Sequence, residues 1–550
     1  MRRKHVFSLL MSSTGVALLV AATTVGAASS ATRSVSSSEA MRGGTLRVDQ
    51  IGAFDTLDPG VAYVSNDWQV LYSTQLLLLN FPDRGGQAGG QLVPEAAKAF
   101  PSSSKNGKTY TFQLRPGLRF SDGSKVTAAA YQRAFERILS PKMFAQYGIF
   151  ERLNKILVGA QKFVAGKAAH ISGIRARGLT LTFHLTKPNP GFIDLLGMQW
   201  FGAVKPSMPY TTSPSGILRY PSAGPYYIAT NRPDRLVVLK RNPYYHGARP
   251  ANPDEIVIHS YPSSNGEASL RRVERNRIDL SGVPSADAQA VAQKYGYPAN
   301  RHSRFHVDTT DCEFWDAFNN ARPPTNDVRV RQALNYAIGR TPILDLFGPY
   351  SGTPTDQILI PGLGGYKKLD LYGNQPNVAK AEQVGGNALK NAAPLDILYN
   401  PSSSIATSQA ELEQSEIEQI GLTVNLVKSD PTNYYGELGA KGGTPWNIAA
   451  VSSCPDPFAP SGYLAAFFGS PNISGFADPS VIQKMDHAAL LSGRARSRAY
   501  AALDRLLMTK YAPVAPLFVA NFRYLTSRRV RNVIFSHYYG GPILNAISVR

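Results

Sequence analysis

The sequence predicts an α/β protein made of more than one lobe. Its 550 residues are 43% hydrophobic and 10% aromatic, which differs from the composition of a disordered chain and exceeds what one core usually organises. Short segments with a two-residue apolar period alternate with helical segments, and the C-terminal third contains a unit of β-α-β order. We therefore expect two or three lobes.

The N-terminus has the pattern of a secretory signal. Three cationic residues at positions 2 to 4 precede residues 6–32, which carry no charge. Small residues predict cleavage after Ala27 or Ala28, so residues 1–28 are the expected signal peptide and residues 29–42 a Ser-rich tether. An uncleaved N-terminal anchor is the alternative. No cysteine lies near the cleavage region, which excludes lipid attachment through cysteine.

Two strands and one helix are the clearest elements of the first half. Alternating apolar residues predict strands in KTYTFQLR and LTLTFHL, and His184 in the second is interpreted as a sheet-surface residue, not a metal ligand. Between them, Thr127 is a good N-cap for a helix with a core-facing stripe. The predicted core-facing residues are Tyr131, Ala134, Phe135 and Ile138, and those left outside are Arg133, Glu136 and Arg137.

The second half contains a capped helix and the β-α-β unit. The helix begins at Asp327 and ends at Gly339, and its predicted buried residues are Val330, Ala333, Leu334, Ala337 and Ile338. From Pro394 the predicted order is strand LDILY, a helix over 405–420 followed by Gly421, strand LTVNLV and strand WNIAAV.

The charge balance and the missing motifs exclude several function classes. The net charge is +20, but the basic residues are dispersed and form no run with interleaved aromatics, which argues against nucleic-acid binding. None of the nine histidines forms HExxH, and there is no GxSxG nucleophile elbow. Two cysteines are too few for an all-cysteine zinc site. We predict a protein that is not an enzyme and has neither metal nor cofactor.

Seven segments resemble a known family when they are read in order. They are GGTLRV with Leu57-Asp58-Pro59, LVPEAAKAFP, KTYTFQLRPGLRFSDGSKVTAAAYQRAFERILSP, SAGPYYI, LVVLKRNPYYHG, NDVRVRQALNYAIGR and RSRAYAALDRLLMTKYAPVAPLF. From about Gly43 to its C-terminus, the chain resembles the extracytoplasmic solute-binding proteins of ABC importers. Within these it is similar to the peptide/nickel-binding family, family 5, which includes dipeptide- and oligopeptide-binding proteins.

The resemblance implies a two-lobed periplasmic-binding-protein fold of type II with an extra subdomain inserted in the first lobe. By family analogy, lobe 1 comprises residues 43–85, 202–306 and 514–550. The inserted subdomain comprises residues 86–201, and lobe 2 comprises residues 307–513. A ligand would bind between the lobes, and hinge closure would bury it.

The most specific local match is Cys454-Pro455-Asp456. It resembles the Cys-x-Asp of oligopeptide-binding members, in which the aspartate pairs with the α-ammonium group of a peptide. A carboxylate in a desolvated cleft suits that role because it fixes the register of the peptide by requiring a cation there. The alternative is that Asp456-Pro457 only opens a turn. The same relatives imply a disulfide between Cys312 and Cys454, with two free buried thiols as the alternative.

Other residues are candidates for the cleft by position. Tyr63, Val64 and Ser65 occupy the place of a ligand-facing strand, and Ser453 stands where oligopeptide binders commonly have tryptophan. Trp446 lies earlier and is not a certain replacement. Asn433 and the tyrosines after it also fit the cleft, although paired tyrosines at a helix start are more often packing residues. The predicted ligand-binding residues are Asp456, Cys454, Ser453, Tyr63, Val64, Ser65, Tyr434, Tyr435 and Trp446.

The expected function is capture of a di- or oligopeptide and its delivery to a membrane permease. We expect a monomer that is exported to the periplasm or to the outer face of the cytoplasmic membrane. Members of the resembled family also bind nickel chelates, haem and sugars, which remain possible ligands. One alternative is an envelope-associated sensor or chaperone for peptides or cell-wall fragments, where positive charge attracts anionic surroundings. A secreted hydrolase is the other alternative.

Overall fold

The computed structural model describes residues 42–550 except 53, 145–147, 262–264, 299–302, 432, 440–444, 455–457, 469–471, 537 and 539–540. The predicted signal peptide and all but the last residue of the predicted tether lie outside the described residues. No helix in the described part of the chain combines the length and the apolar composition that a membrane span requires.

The first part of the chain ends in the long strand β12. Its elements are β1 (Thr45–Ile51), α1 (Ser65–Thr74), β2 (Leu79–Asn80), α2 (Gly86–Gly89), β3 (Val93–Pro94), β4 (Ser102–Ser103), β5 (Thr109–Gln113), α3 (Ala128–Leu139), α4 (Gly148–Ile156), α5 (Ala160–Val164), β6 (Ile174–Arg177), β7 (Thr180–His184), α6 (Phe192–Leu195), β8 (Tyr226–Arg232), β9 (Leu236–Arg241), β10 (Glu255–Tyr261), α7 (Gly266–Glu274), β11 (Leu280–Gly282), α8 (Ala288–Tyr295) and β12 (Phe305–Phe318).

The second part of the chain contains another long strand, β17, which lies beside β12 in the large sheet. Its elements are α9 (Val328–Ala337), α10 (Arg340–Leu346), β13 (Gly352–Pro354), α11 (Val378–Gly385), α12 (Asn387–Lys390), β14 (Leu395–Tyr399), α13 (Ser404–Glu418), β15 (Val424–Lys428), α14 (Tyr434–Gly439), β16 (Ile448–Ser453), α15 (Pro460–Phe468), α16 (Pro479–Leu490), α17 (Gly493–Leu506), β17 (Val514–Thr526), β18 (Phe535–Ser536) and β19 (Gly541–Pro542).

One eleven-stranded sheet runs through most of the molecule, in the order β15-β14-β16-β12-β17-β11-β1-β10-β9-β8, with β13 also paired to β17. The long strands β12 and β17 are antiparallel neighbours at its centre. Their register shifts between Thr309 and Glu313 and again between Phe314 and Trp315. Such irregularities bend and twist a sheet, and the first one separates residues 305–309 of β12, which pair with β17, from residues 313–317, which pair with both β16 and β17. This arrangement is the two-lobed α/β fold.

A separate four-stranded sheet, β4-β5-β7-β6, lies within residues 102–184. The predicted strands KTYTFQLR and LTLTFHL are confirmed as β5 and β7, which pair antiparallel. The predicted helix is confirmed as α3, and Thr127 occupies its N-cap position without a capping hydrogen bond from its side chain. Its Phe135 ring packs on Phe183 of β7 with ring centroids 5.0 Å apart, so the helix covers the sheet and closes a small core.

The prediction that Glu136 and Arg137 of α3 lie outside is wrong. Both side chains are buried, and the Arg137 guanidinium donates to both carboxylate oxygens of Asp58, at 2.7 and 2.8 Å. Glu136 accepts hydrogen bonds from Gln132 Nε2 at 2.9 Å and from the Ile171 amide at 3.3 Å. An apolar period identifies hydrophobic core positions only, because the partners that allow a charge to be buried come from distant segments.

The predicted elements of the second half are confirmed. Helix α9 is capped by Asp327, whose carboxylate accepts a hydrogen bond from the Arg329 amide at 2.8 Å. Strands β14, β15 and β16 follow the predicted order around α13, and β14 pairs in parallel with both of the others. The parallel arrangement places the loops after these strands at one edge of the sheet, where ligand sites of α/β folds form.

Candidate ligand-binding site

A disulfide joins the ends of two neighbouring strands of the large sheet. Glu313 of β12 pairs with Ser453 of β16, so the preceding Cys312 lies opposite the following Cys454. The two cysteines are disulfide-bonded, which confirms the predicted pairing and contradicts the free-thiol alternative. The bond lies beside the register shift of β12 between Thr309 and Glu313.

The predicted ammonium ligand, Asp456, lies outside the described residues. Its described neighbours are Ser453, which ends β16 half-buried, and Cys454, which is exposed. The described chain resumes at the buried residue Phe458. The ligand-binding role of Asp456, Cys454 and Ser453 stays a prediction.

Tyr63, Val64 and Ser65 do not form a strand. The Val64 carbonyl accepts hydrogen bonds from the amides of Asp67 and Trp68, and this starts α1 at Ser65. The buried Asp67 carboxylate in turn accepts from the Asp55 amide at 3.0 Å, which holds the preceding loop against the helix. Burial, aided by the nearby Asp55 carboxylate, raises the pKa of Asp67 to about 8. This loop leaves Tyr63 exposed over 46% of its surface.

Six aromatic side chains form a connected series, here called the aromatic run. Tyr63 stacks on Trp200 at 5.9 Å between ring centroids, and Trp200 meets Trp68 edge-on at 5.3 Å. Tyr538 contacts Trp68 at 5.8 Å and Phe81 at 4.3 Å. Phe81 then contacts Phe458 at 6.1 Å. The aromatic run therefore comprises Tyr63, Trp200, Trp68, Tyr538, Phe81 and Phe458.

The aromatic run connects the exposed Tyr63 to the residue that follows the undescribed segment 455–457. Sequence reasoning identified only Tyr63, because the other members come from distant parts of the chain and share no periodic pattern. The one sequence feature that could have indicated the run is the rarity of tryptophan, since Trp68 and Trp200 are two of the chain's four tryptophans. Every member except Tyr63 is buried in the core, so the run is mainly packing and only Tyr63 offers an exposed ring to a ligand.

A second contact joins the predicted inserted subdomain to the predicted lobe 2. The Arg496 guanidinium of α17 donates to the Asp194 carboxylate of α6 at 2.5 Å and to Ser461 Oγ at 3.2 Å. Both members of the ion pair are mostly buried, and burial raises the pKa of Asp194, opposed by Arg496. In the predicted division, this ion pair joins the inserted subdomain to lobe 2, whereas the Phe81–Phe458 contact joins lobe 1 to lobe 2.

The remaining predicted site residues precede β16 in the chain. The Tyr434 hydroxyl donates to the Ala450 carbonyl at 2.8 Å, and Tyr435 beside it is exposed over 56% of its surface. Trp446, which precedes β16, is buried in the core. Among the described residues, no ring contact links either tyrosine to the aromatic run. Their roles in ligand binding stay predictions.

Two buried carboxyl groups lie near the disulfide, on Glu313, which follows Cys312 in β12, and on Asp504. Glu313 is fully buried, and neither of its carboxylate oxygens has a hydrogen-bond partner among the described residues. Burial, with a contribution from Asp504, raises its pKa well above the usual range. Asp504 accepts from the Ile358 amide at 3.0 Å and from Gln357 Nε2 at 2.9 Å, and burial raises its pKa to about 7. Glu313 therefore favours the protonated state at neutral pH, whereas Asp504 exchanges its proton near pH 7.

One group of possible metal ligands lies at the disulfide. Asp311, Cys312 and Cys454 place an oxygen and two sulfur atoms within 4.8 Å of one another. The two sulfurs are bonded to each other, so they are not available as thiolates. One remaining carboxylate does not make a ligand set for a transition metal.

Comparisons with known proteins agree on one family. The probable D,D-dipeptide-binding periplasmic protein DdpA of Escherichia coli K12 is 23% identical, over 88% of this chain and 89% of that protein. The nickel-binding periplasmic protein of the same strain is 26% identical, over 64% of this chain and 65% of that protein. The structure of clavulanic acid biosynthesis oligopeptide binding protein 2 superposes with a TM-score of 0.81, at 21% identity over 92% of this chain and 96% of that one.

A family profile covers most of the chain. The profile of bacterial extracellular solute-binding proteins, family 5 middle, matches residues 91–475. That range includes the four-stranded sheet, β12, the disulfide and β16. The chain therefore belongs to family 5 of the bacterial extracellular solute-binding proteins, which are binding proteins and not enzymes.

Proposed function

We propose that this protein captures a di- or oligopeptide between its two lobes and delivers it to an ABC-type permease in the membrane. The proposal rests on the family and on relatives named for binding a D,D-dipeptide and an oligopeptide. We further propose that it is exported, not lipidated through cysteine, monomeric and without catalytic turnover. No described feature specifically favours the sensor or chaperone alternative.

One observation carries the placement of the ligand: the described residues on both sides of segment 455–457 are anchored. Cys454 is tied to Cys312 by the disulfide, and Phe458 packs on Phe81 and Tyr538 of the aromatic run. The flanks of Asp456 are thus held from two parts of the molecule. A carboxylate between such anchors suits recognition of one cation on the ligand, since little rearrangement is needed on binding.

The proposed lobes follow the predicted boundaries. Residues 43–85, 202–306 and 514–550 form lobe 1, residues 86–201 the inserted subdomain, and residues 307–513 lobe 2. Two observations support this division: the four-stranded sheet lies inside the second range, and β14, β15 and β16 lie inside the third. Strands β12 and β17 then provide the crossing connections between the lobes.

The proposed role of Asp456 is tested by calorimetric titration with trialanine and with N-acetyl-trialanine. The native protein should bind the free peptide about 100-fold more tightly, because acetylation removes the cation that the carboxylate pairs with. Asp456→Asn should abolish this preference. Asp486→Asn, at an exposed position on α16, is the matched control and should keep it.

Two results would count against the proposal. If Asp456→Asn keeps the full preference for the free peptide, Asp456 is not the ammonium partner. If the native protein binds neither peptide but binds a nickel chelate, the ligand class is that of the nickel-binding relative, not of the peptide-binding ones.

A further inference from the structure

A large cavity lies apart from the proposed peptide site. Its volume is about 790 Å³, and its walls come from residues 76, 80–84, 93–95, 115–119, 223, 244–250 and 534. It shares Phe81 with the aromatic run but includes no residue of the proposed lobe 2. The volume falls in the range of small-molecule sites. We call it the basic cavity because of the groups at its rim.

Three guanidinium groups line the basic cavity without a carboxylate partner. Arg84, Arg115 and Arg119 are exposed, and no described residue forms an ion pair with any of them. Arg115 Nε donates to the Glu95 carbonyl at 2.8 Å, and Arg119 Nη1 donates to the Gly123 carbonyl at 2.7 Å. Both acceptors are neutral, so the positive charge at the rim is not compensated.

The two carboxylates of the basic cavity are already engaged. Glu95 lies 2.6 Å from the buried Arg249 guanidinium and accepts a hydrogen bond from the Leu77 amide at 2.9 Å. Asp83 accepts from Asn545 Nδ2 at 3.2 Å. Neither carboxylate is therefore available to the three rim arginines. With Arg249, four arginines and two carboxylates line the cavity, and the resulting excess of positive charge favours an anion.

The walls of the basic cavity are largely apolar. Val93 and Tyr244 are large hydrophobic side chains that stay exposed, at 39% and 41% of their surfaces, and both line it. Leu76, Leu118 and Ile534 line it as well. An inorganic ion would leave this surface in contact with water, whereas an organic body would cover it.

We propose that the basic cavity binds a small organic anion, in which a carboxylate, phosphate or sulfonate group is attached to an apolar or aromatic body. Arg84 comes from the proposed lobe 1, and Arg115 and Arg119 come from the proposed inserted subdomain. An anion held by both sides would link these two parts of the molecule. The site is separate from the proposed peptide site, and the proposal does not depend on peptide binding.

The test compares two fluorescent probes that share the same rings. 8-Anilinonaphthalene-1-sulfonate carries an anionic group, and N-phenyl-1-naphthylamine lacks it. Titration of the natively folded full chain should show saturable 1:1 binding of the sulfonate that weakens as salt is added. Arg84→Gln combined with Arg119→Gln should weaken sulfonate binding about tenfold and leave the neutral probe unaffected.

Two control variants locate the probe. Arg177→Gln combined with Arg232→Gln removes two exposed arginines elsewhere, changes the net charge equally and should leave sulfonate affinity unchanged. Asp456→Asn should also leave it unchanged, because that residue belongs to the proposed peptide site. The proposal would be overturned if both arginine double variants lost the same sulfonate affinity, or if the Arg84 and Arg119 double variant lost none. A loss of sulfonate affinity in Asp456→Asn would overturn it as well.

Discussion

Asp58 and Arg137 show how a single buried pair can shape the region around the cleft. The Asp58 carboxylate accepts two hydrogen bonds from Arg137 and one each from the amides of Gly60 and Ile217, both at 2.9 Å. Both charged side chains are almost completely buried. The pair thereby ties the loop before Tyr63 to α3, and this explains why the motif Leu57-Asp58-Pro59 contains an acid.

Removing the cation of this pair should destabilise the protein strongly. We expect Arg137→Met to lower the free energy of unfolding by about 3–5 kcal/mol, because it leaves a buried carboxylate without its charged partner. Urea denaturation measures the change. The double variant Asp58→Asn with Arg137→Met should lose less of the free energy of unfolding, since it also removes the carboxylate charge that the single variant leaves uncompensated. If the free energy of unfolding of Arg137→Met lay within about 1 kcal/mol of the native value, the pair would contribute little to stability.

The buried carboxyls predict how stability depends on pH. A carboxyl with a raised pKa keeps its proton in the folded state at a pH where the unfolded chain has lost it. Its contribution to stability is complete below about pH 4 and is lost as the pH rises through the folded-state pKa, which is about 7 for Asp504 and about 6 for Glu416. Burial is the main cause of both shifts.

Between about pH 4 and its own folded-state pKa, each such group should lower the free energy of unfolding by about 1.4 kcal/mol per pH unit. The free energy of unfolding of Asp504→Asn should therefore fall less steeply between about pH 4 and pH 7 than that of the native protein, because the variant lacks one proton-binding group. Urea denaturation at several pH values provides both curves. Parallel curves would mean that Asp504 has an ordinary pKa in the folded protein.

At the scale of elements, local sequence signals predicted the regular helices and strands well. Caps and apolar periods located α3, α9 and the β-α-β unit, because these features act over a few neighbouring residues. The segment around Tyr63 was predicted as part of a strand and instead leads into α1. Its conformation depends on the hydrogen bonds that the buried Asp67 carboxylate accepts from the preceding loop, and an apolar period along the sequence does not predict such bonds.

The candidate site was less accessible to sequence reasoning than the fold. Family resemblance supplied the Cys312–Cys454 pairing, which the register of β12 and β16 then explains. The aromatic run and the buried Arg137 depend on contacts between residues many tens of positions apart. Such contacts follow from tertiary packing, so a single sequence with no distance information does not reveal them.

The disulfide between β12 and β16 predicts a clear redox result. Thiol titration of denatured, unreduced protein should find no free thiol, whereas two thiols per chain would contradict the pairing. Because the bond spans 142 residues, Cys312→Ser combined with Cys454→Ser should lower stability by up to about 5 kcal/mol in the chain-entropy account. Thermal unfolding of this double variant and the native protein measures the loss.

At the scale of the whole molecule, one sheet runs through both lobes while side chains hold them together. The Asp194–Arg496 ion pair joins the proposed inserted subdomain to the proposed lobe 2, and the Phe81–Phe458 contact joins the proposed lobe 1 to it. The net charge of +20 includes three cationic residues of the predicted signal peptide, and the remaining positive excess suits an anionic envelope. Ligand capture then depends on the balance between open and closed arrangements.

Weakening the ion pair should shift this balance towards opening. We expect Arg496→Gln to increase the radius of gyration measured by small-angle scattering and to weaken ligand affinity about fivefold, which corresponds to about 1 kcal/mol. Arg494→Gln, at an exposed position on the same helix, is the control and should change neither quantity. Unchanged scattering and affinity in Arg496→Gln would show that the ion pair does not stabilise closure.

The most direct test of the central claim is native mass spectrometry of freshly purified protein. A closed binding protein retains its ligand during purification when the affinity is high, and dissociation in the gas phase then releases it for identification. The account predicts a ladder of masses that correspond to di- and oligopeptides, one per protein chain. A single non-peptide mass, such as a nickel chelate or a haem, would contradict it.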